Sequence, residues 1–183
     1  MPKRSDFAYA ARYCEENVWK LLEHPSQPGE ARSAVFITNE DRACLLFRQR
    51  ASEVPDEPVV WDYHVVLLVE GARAQIWDLD TTLEFPCDAE RWLSETFPVA
   101  GAIDESLEPR FRVVPEALFR ARFASDRSHM RDAHGNWSAL PPPWPPIRTP
   151  DATMTLMQFV DLATPGLGEV LDLPSLRARI RRT

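Results

Sequence analysis

Glycine is scarce in this 183-residue chain, at 6 residues, and that shortage leaves little material for phosphate-cradling loops. Neither G-x-G-x-x-G nor G-x-x-x-x-G-K-[ST] occurs anywhere. An excess of positive charge is missing too. Lys and Arg total 21 against 28 Asp and Glu, a net charge of −7, so the chain has no basic footprint for nucleic acid. No run approaches the roughly eighteen apolar residues that a membrane helix needs. No apolar stretch follows Lys3-Arg4, so a secretory leader is not expected at this start. Cysteine is limited to Cys14, Cys44 and Cys87. An odd, widely spaced set argues against a disulfide framework and for a reducing compartment. Close Cys or His pairs of zinc-site type are also lacking; only His129 and His134 stand near one another, in a polar stretch.

What remains is ordinary globular material, 44% hydrophobic and 27% charged. A chain of this length buries about 70% of its unfolded surface and needs no metal or disulfide to hold a core. One domain over residues 1–183 is expected, with a short arm at 1–12 and a proline-rich segment at 138–150.

The first element is a helix from Cys14 to Glu23, with Val18, Leu21 and Leu22 at helical spacing and His24-Pro25 as its stop. Cys14 therefore lies at a helix N-terminus. Ser33 to Thr38 reads as a strand and Ala43 to Arg48 as its return, with a turn at Asn39-Glu40-Asp41. Val59 to Val69 is the strongest strand, apolar on both faces and so central in a sheet. A tight connection near Gly71 leads to a hairpin partner at Arg73–Leu79. Helices are expected over 89–97, 116–123, 155–162 and 174–182, the third opened by a capping box at Thr155. A short strand fits 110–114, a polar loop 125–137, and an extended brace packed by Trp144 fits 141–146. Helices and strands segregate, which predicts an α+β fold with a mostly antiparallel sheet and packed helices.

Chemistry points to Cys14. A helix N-terminus stabilises a thiolate, although Glu15 and Glu16 oppose this if they face the sulfur. An imidazole is then required, and His64 sits mid-strand where a buried ring must find a partner. The hairpin offers two. A Glu70-Gly71-Ala72 loop sets His64 opposite Asp78, and a Gly71-Ala72-Arg73 loop sets it opposite Asp80. Either aspartate can orient the ring as the third member of a triad. Cys44 reads as core and Cys87 as a loop residue without a histidine nearby.

Longer strings carry a resemblance. The stretch from Cys14-Glu15-Glu16-Asn17-Val18-Trp19, then Trp61-Asp62-Tyr63-His64, Asp78-Leu79-Asp80-Thr81, Phe85-Pro86-Cys87 and Phe123-Ala124-Ser125-Asp126-Arg127-Ser128-His129-Met130 resemble the protein N-terminal glutamine amidohydrolase family. The resemblance implies a papain- and transglutaminase-like core with a Cys14–His64–Asp78 triad, and so the first hairpin register. It also implies hydrolysis of the side-chain amide of an N-terminal glutamine through a Cys14 thioester. Glutamate and ammonia leave, and the new chain end feeds an N-degron pathway. No cofactor or metal is called for. The expected partner is a protein or peptide with free N-terminal Gln, met by a cytoplasmic (in a eukaryote also nuclear) monomer that binds neither nucleic acid nor membrane. Such specificity needs an acceptor for the α-ammonium, for which Glu16, Asp62 and Asp126 are candidates. The competing readings are a triad hydrolase acting on internal Gln or peptide bonds, and a non-catalytic module that binds chain ends.

Overall fold

The computed structural model describes residues 2–182. Its elements run α1 (Cys14–Leu21), β1 (Ala31–Thr38), β2 (Cys44–Leu46), β3 (Val59–Trp61), β4 (His64–Glu70), β5 (Gln75–Trp77), β6 (Cys87–Asp88), α2 (Ala89–Thr96), β7 (Arg110–Pro115), α3 (Glu116–Arg122), α4 (Leu156–Val160), β8 (Glu169–Leu171) and α5 (Leu173–Ile180). Six strands form one sheet in the order β6-β5-β4-β1-β7-β8, antiparallel at every pair. The α+β expectation holds.

Alternation along the strands explains the layers. Ala34 and Phe36 of β1, with Val65, Leu67 and Val69 of β4, face a cluster that includes Val18 and Leu21 of α1, Phe119 of α3 and Phe159 of α4. Val35 and Ile37, with Val66 and Leu68, face the opposite cluster, which holds Trp92 of α2 and Leu176 of α5. The sheet is thus covered on both faces. This is why all seven residues of β4 are buried and why its sequence is apolar without alternation. Phe36, Phe119, Phe123 and Phe159 interlock, and each buried ring adds about 1.5–3 kcal/mol of transfer free energy.

Several local expectations change. The return strand after β1 does not pair with it, because β4 and β7 occupy both edges of β1. Instead β2 and β3 form a separate two-stranded ribbon, with Cys44 opposite Trp61. The run 59–69 is two strands, broken at Asp62-Tyr63. There the Thr38 hydroxyl donates to the Asp62 carbonyl at 2.8 Å, and the Asp62 carboxylate accepts the Tyr63 N–H at 2.9 Å. Local side-chain bonding replaces the ladder at this point. β8 is a strand beyond those that the sequence pattern predicts. It follows Gly168, whose φ is +94° and where an added Cβ would stand 2.2 Å from the Val113 carbonyl oxygen, so a side chain there would keep the strand from docking on β7. The capping box at Thr155 does not form; its hydroxyl accepts from the Ala124 N–H and donates to the Arg122 carbonyl, and α4 is only five residues long. Cys87 lies in β6 rather than in a loop.

Candidate active site

Cys14 is the first residue of α1, so its N–H has no acceptor within the helix. α1 lies across β4. The side chain is 5% exposed. Burial pushes the thiol well above its usual range, Glu15 and Asp80 push it further, and the Val65 N–H pulls the other way. The helix N-terminus alone does not activate this sulfur.

His64, immediately before Val65, opens β4. Its ring is fully buried, stacks on Trp61 at 5.4 Å between centroids, and meets Asp78 Oδ1 through Nε2 at 3.1 Å. Its Nδ1 is buried without a hydrogen-bond partner. Burial pulls the imidazole down, but the charge and hydrogen bond of Asp78 outweigh it and hold the ring above its ordinary value. Asp78 shows the converse. Burial raises it, while His64, the Asp80 N–H and the Trp92 indole bring it below the usual carboxylate range. Its Oδ1 also accepts the Asp80 N–H at 2.9 Å, and its Oδ2 accepts Trp92 Nε1–H at 3.2 Å.

The partner is Asp78, yet the register is not the one that the triad assignment implies. Val69 pairs with Gln75 and Leu67 with Trp77, a ladder that if continued would set His64 opposite Asp80. β5 ends at Trp77, and the chain then leaves the ladder. Asp78 is turned inward by its bonds to Asp80 and Trp92. Asp80 instead accepts the Tyr9 hydroxyl at 2.5 Å, and burial raises its own pKa. His64, Asp78 and Asp80 place ligand atoms within 4.8 Å of one another, the single such cluster among the described residues. Those of His64 and Asp78 are already engaged with each other.

A second polar group lies beside the sulfur. Glu15 is fully buried; its Oε2 lies 3.6 Å from the Cys14 sulfur and 3.4 Å from the Tyr63 hydroxyl, both donors. Its Oε1 has no hydrogen bond and faces His129 Nε2 at 3.7 Å. Burial raises the Glu15 carboxyl to about 7 and lowers the His129 imidazole. The sequence marks Glu15 only as a charge opposing the thiolate and gives Tyr63 no role. Their shared signal was a carboxylate directly after the cysteine and a tyrosine directly before the histidine.

Of the residues considered for an ammonium, Glu16 is already committed. It is buried under a bidentate pair with Arg127, 2.8 Å on each arm, and it accepts Trp144 Nε1–H at 2.7 Å. Arg127 also donates to the carbonyls of Pro142 and Trp144, so Trp144 and the proline tract are braced onto α1. Asp62 is exposed and bonds the Tyr63 N–H, and Asp126 accepts the Ser128 N–H. His134 lies in an exposed loop away from these groups. Cys44 and Cys87 are buried, and all three cysteines are free thiols. Among the described residues no helix is long and apolar enough to cross a membrane.

The chain is similar to known proteins over nearly all its length. The family model described as N-terminal glutamine amidase matches residues 9–180. A Bos taurus protein named "Protein N-terminal glutamine amidohydrolase" is 42% identical over 180 residues, covering 94% of this chain and 86% of the relative. The Homo sapiens protein of that name is 42% identical over 97% of this chain and 90% of its own. The Danio rerio protein of that name is 40% identical over 94% and 88%.

Proposed function

The chain belongs to the N-terminal glutamine amidase family, and from that we propose that it hydrolyses the side-chain amide of glutamine at the first position of a polypeptide, with Cys14 as nucleophile. The observation that carries the assignment is the buried His64 Nε2–Asp78 pair, with Nδ1 left unpartnered at the start of the strand on which α1 packs.

Nδ1 takes the Cys14 proton, and the sulfur attacks the carboxamide carbon. The oxyanion finds the Cys14 N–H, unspent at the start of α1. His64, charged and held by Asp78, returns the proton to the departing nitrogen, and ammonia leaves. A γ-glutamyl thioester remains. His64 then draws a proton from water, the hydroxide displaces the thiolate, and N-terminal glutamate is released. The new chain end is the kind that an arginyl-transferase step uses for degradation. The protein is read as a cytoplasmic monomer, in keeping with three unpaired thiols and a net charge of −7.

The test is a peptide panel with ammonia as readout. Gln-initiated peptides release ammonia, while acetyl-Gln and internal-Gln peptides do not, and Cys14→Ala releases none. Equal turnover of acetylated peptides would put a broader triad hydrolase in its place.

A further inference from the structure

We propose that Glu15, flanked by Tyr63 and His129, takes the α-ammonium group of the substrate, so that the residue beside the nucleophile recognises the free chain end. The proposal rests on Cys14 being the nucleophile of the N-terminal glutamine reaction.

A buried carboxylate oxygen without a hydrogen bond is costly, and Glu15 Oε1 is such an atom. Among the described residues no cation is hydrogen-bonded to it. Arg127 makes its two-armed pair with Glu16, and His129 stands at 3.7 Å, beyond hydrogen-bond reach, with its imidazole lowered by burial. The other ionisable groups around it are Cys14 and Glu16 on α1, Tyr63 just before β4, and His64 at the start of β4, whose charge is already paired with Asp78. An ammonium brings three donors and the missing positive charge. The reach fits as well. In glutamine the α-nitrogen and the carboxamide carbon are four bonds apart, at most about 5 Å. Glu15 Oε2 lies 3.6 Å from the sulfur that must attack that carbon. Acylated and internal glutamines carry no ammonium and leave the carboxylate unpaired.

Recognition and activation are thereby coupled. After burial, the charge of Glu15 is the strongest influence holding the Cys14 thiol protonated. A docked ammonium neutralises that charge, which makes transfer of the thiol proton to His64 Nδ1 easier. The sulfur is kept unreactive until a substrate arrives.

The experiment compares a Gln-initiated peptide with its desamino analogue on the wild-type protein and on Glu15→Gln. The ratio of kcat/KM between the two peptides is taken within each sample, so a partly unfolded variant does not distort it. The wild type should prefer the amine by about a hundredfold or more, and the preference should fall to a few-fold in Glu15→Gln, as truncation of a buried charge contact requires. Iodoacetamide should alkylate Cys14 of Glu15→Gln faster than that of the wild type at pH 8. If the variant turns over neither peptide, the same ratio is read as affinity in a Cys14→Ala background, with and without Glu15→Gln. An unchanged ratio in an active or binding-competent variant refutes the Glu15 assignment and leaves the amidase reading intact. A wild-type protein that releases no ammonia from Gln-initiated peptides sinks both.

Discussion

Replacing Asp78 by asparagine removes one charge and almost no volume, so its consequences can be worked from hydrogen bonds alone. The carboxylate accepts three N–H groups, from His64 Nε2, Asp80 and Trp92 Nε1. Asparagine offers one acceptor oxygen and two donors. In either orientation its NH2 faces a buried N–H, and one orphaned donor costs about 1–3 kcal/mol. The relief open to the protein is a shift of the imidazole proton from Nε2 to Nδ1, so that Nε2 accepts from the amide. In the proposed reaction, that proton then occupies the ring atom that takes the one from Cys14. A wrong tautomer of this kind lowers kcat by about four orders of magnitude in the serine-protease triad, and Asp78→Asn should lose roughly a thousandfold or more. Its stability deficit should also depend on pH. Asp78 is held below 3.8, so its contribution is present above that value and is lost as pH falls. His64 is held above 6.5, so its contribution is full below 6.5 and is lost as pH rises through the folded value. The gap to wild type is therefore widest between about pH 4 and 6.5. Ammonia release and chemical denaturation across that range test this. Turnover within tenfold of wild type in Asp78→Asn, with a larger loss in Asp80→Asn, would refute the reasoning and make Asp80 the orienting residue.

Two further perturbations follow from the buried carboxylates of α1. Arg127→Ala strands Glu16 at 0% exposure and unties Trp144 and the proline tract, so a loss of about 3–5 kcal/mol is expected in urea denaturation. A loss under 1 kcal/mol would contradict that account. Glu15→Gln should act in the opposite direction. The Glu15 carboxyl titrates at about 7 in the fold against an ordinary 4.5, so its burden is absent below 4.5 and complete above 7. That interval corresponds to at most about 3 kcal/mol. The variant should melt several degrees higher than wild type at pH 8 and close to it at pH 4.5, by calorimetry. A lower Tm at pH 8 would mean that the Cys14 and Tyr63 contacts matter more to the fold than the buried charge does.

The sequence by itself determined most local elements and the residue types of the proposed site. Spacing located α1 with Cys14 at its start, the two-faced apolar run marked β4 as central, and only His64 joined an imidazole to that buried strand. Those are properties of neighbours along the chain, where period and polarity speak directly. Pairing between distant segments was not legible. Nothing local to 44–46 says that β1 has both edges filled by β4 and β7, so the return strand looked like a hairpin and is not one. The choice of aspartate shows the same limit. The ladder register points to Asp80, and Asp78 reaches His64 only because the strand ends at Trp77 and an indole from α2 holds the carboxylate inward. Glu15 and Glu16 are adjacent in sequence and alike in type, yet Glu16 is neutralised by an arginine 111 positions away, while Glu15, beside the sulfur, keeps an oxygen without a hydrogen bond. Partner and solvation come from elements remote in the chain, so only the folded arrangement could tell the two carboxylates apart.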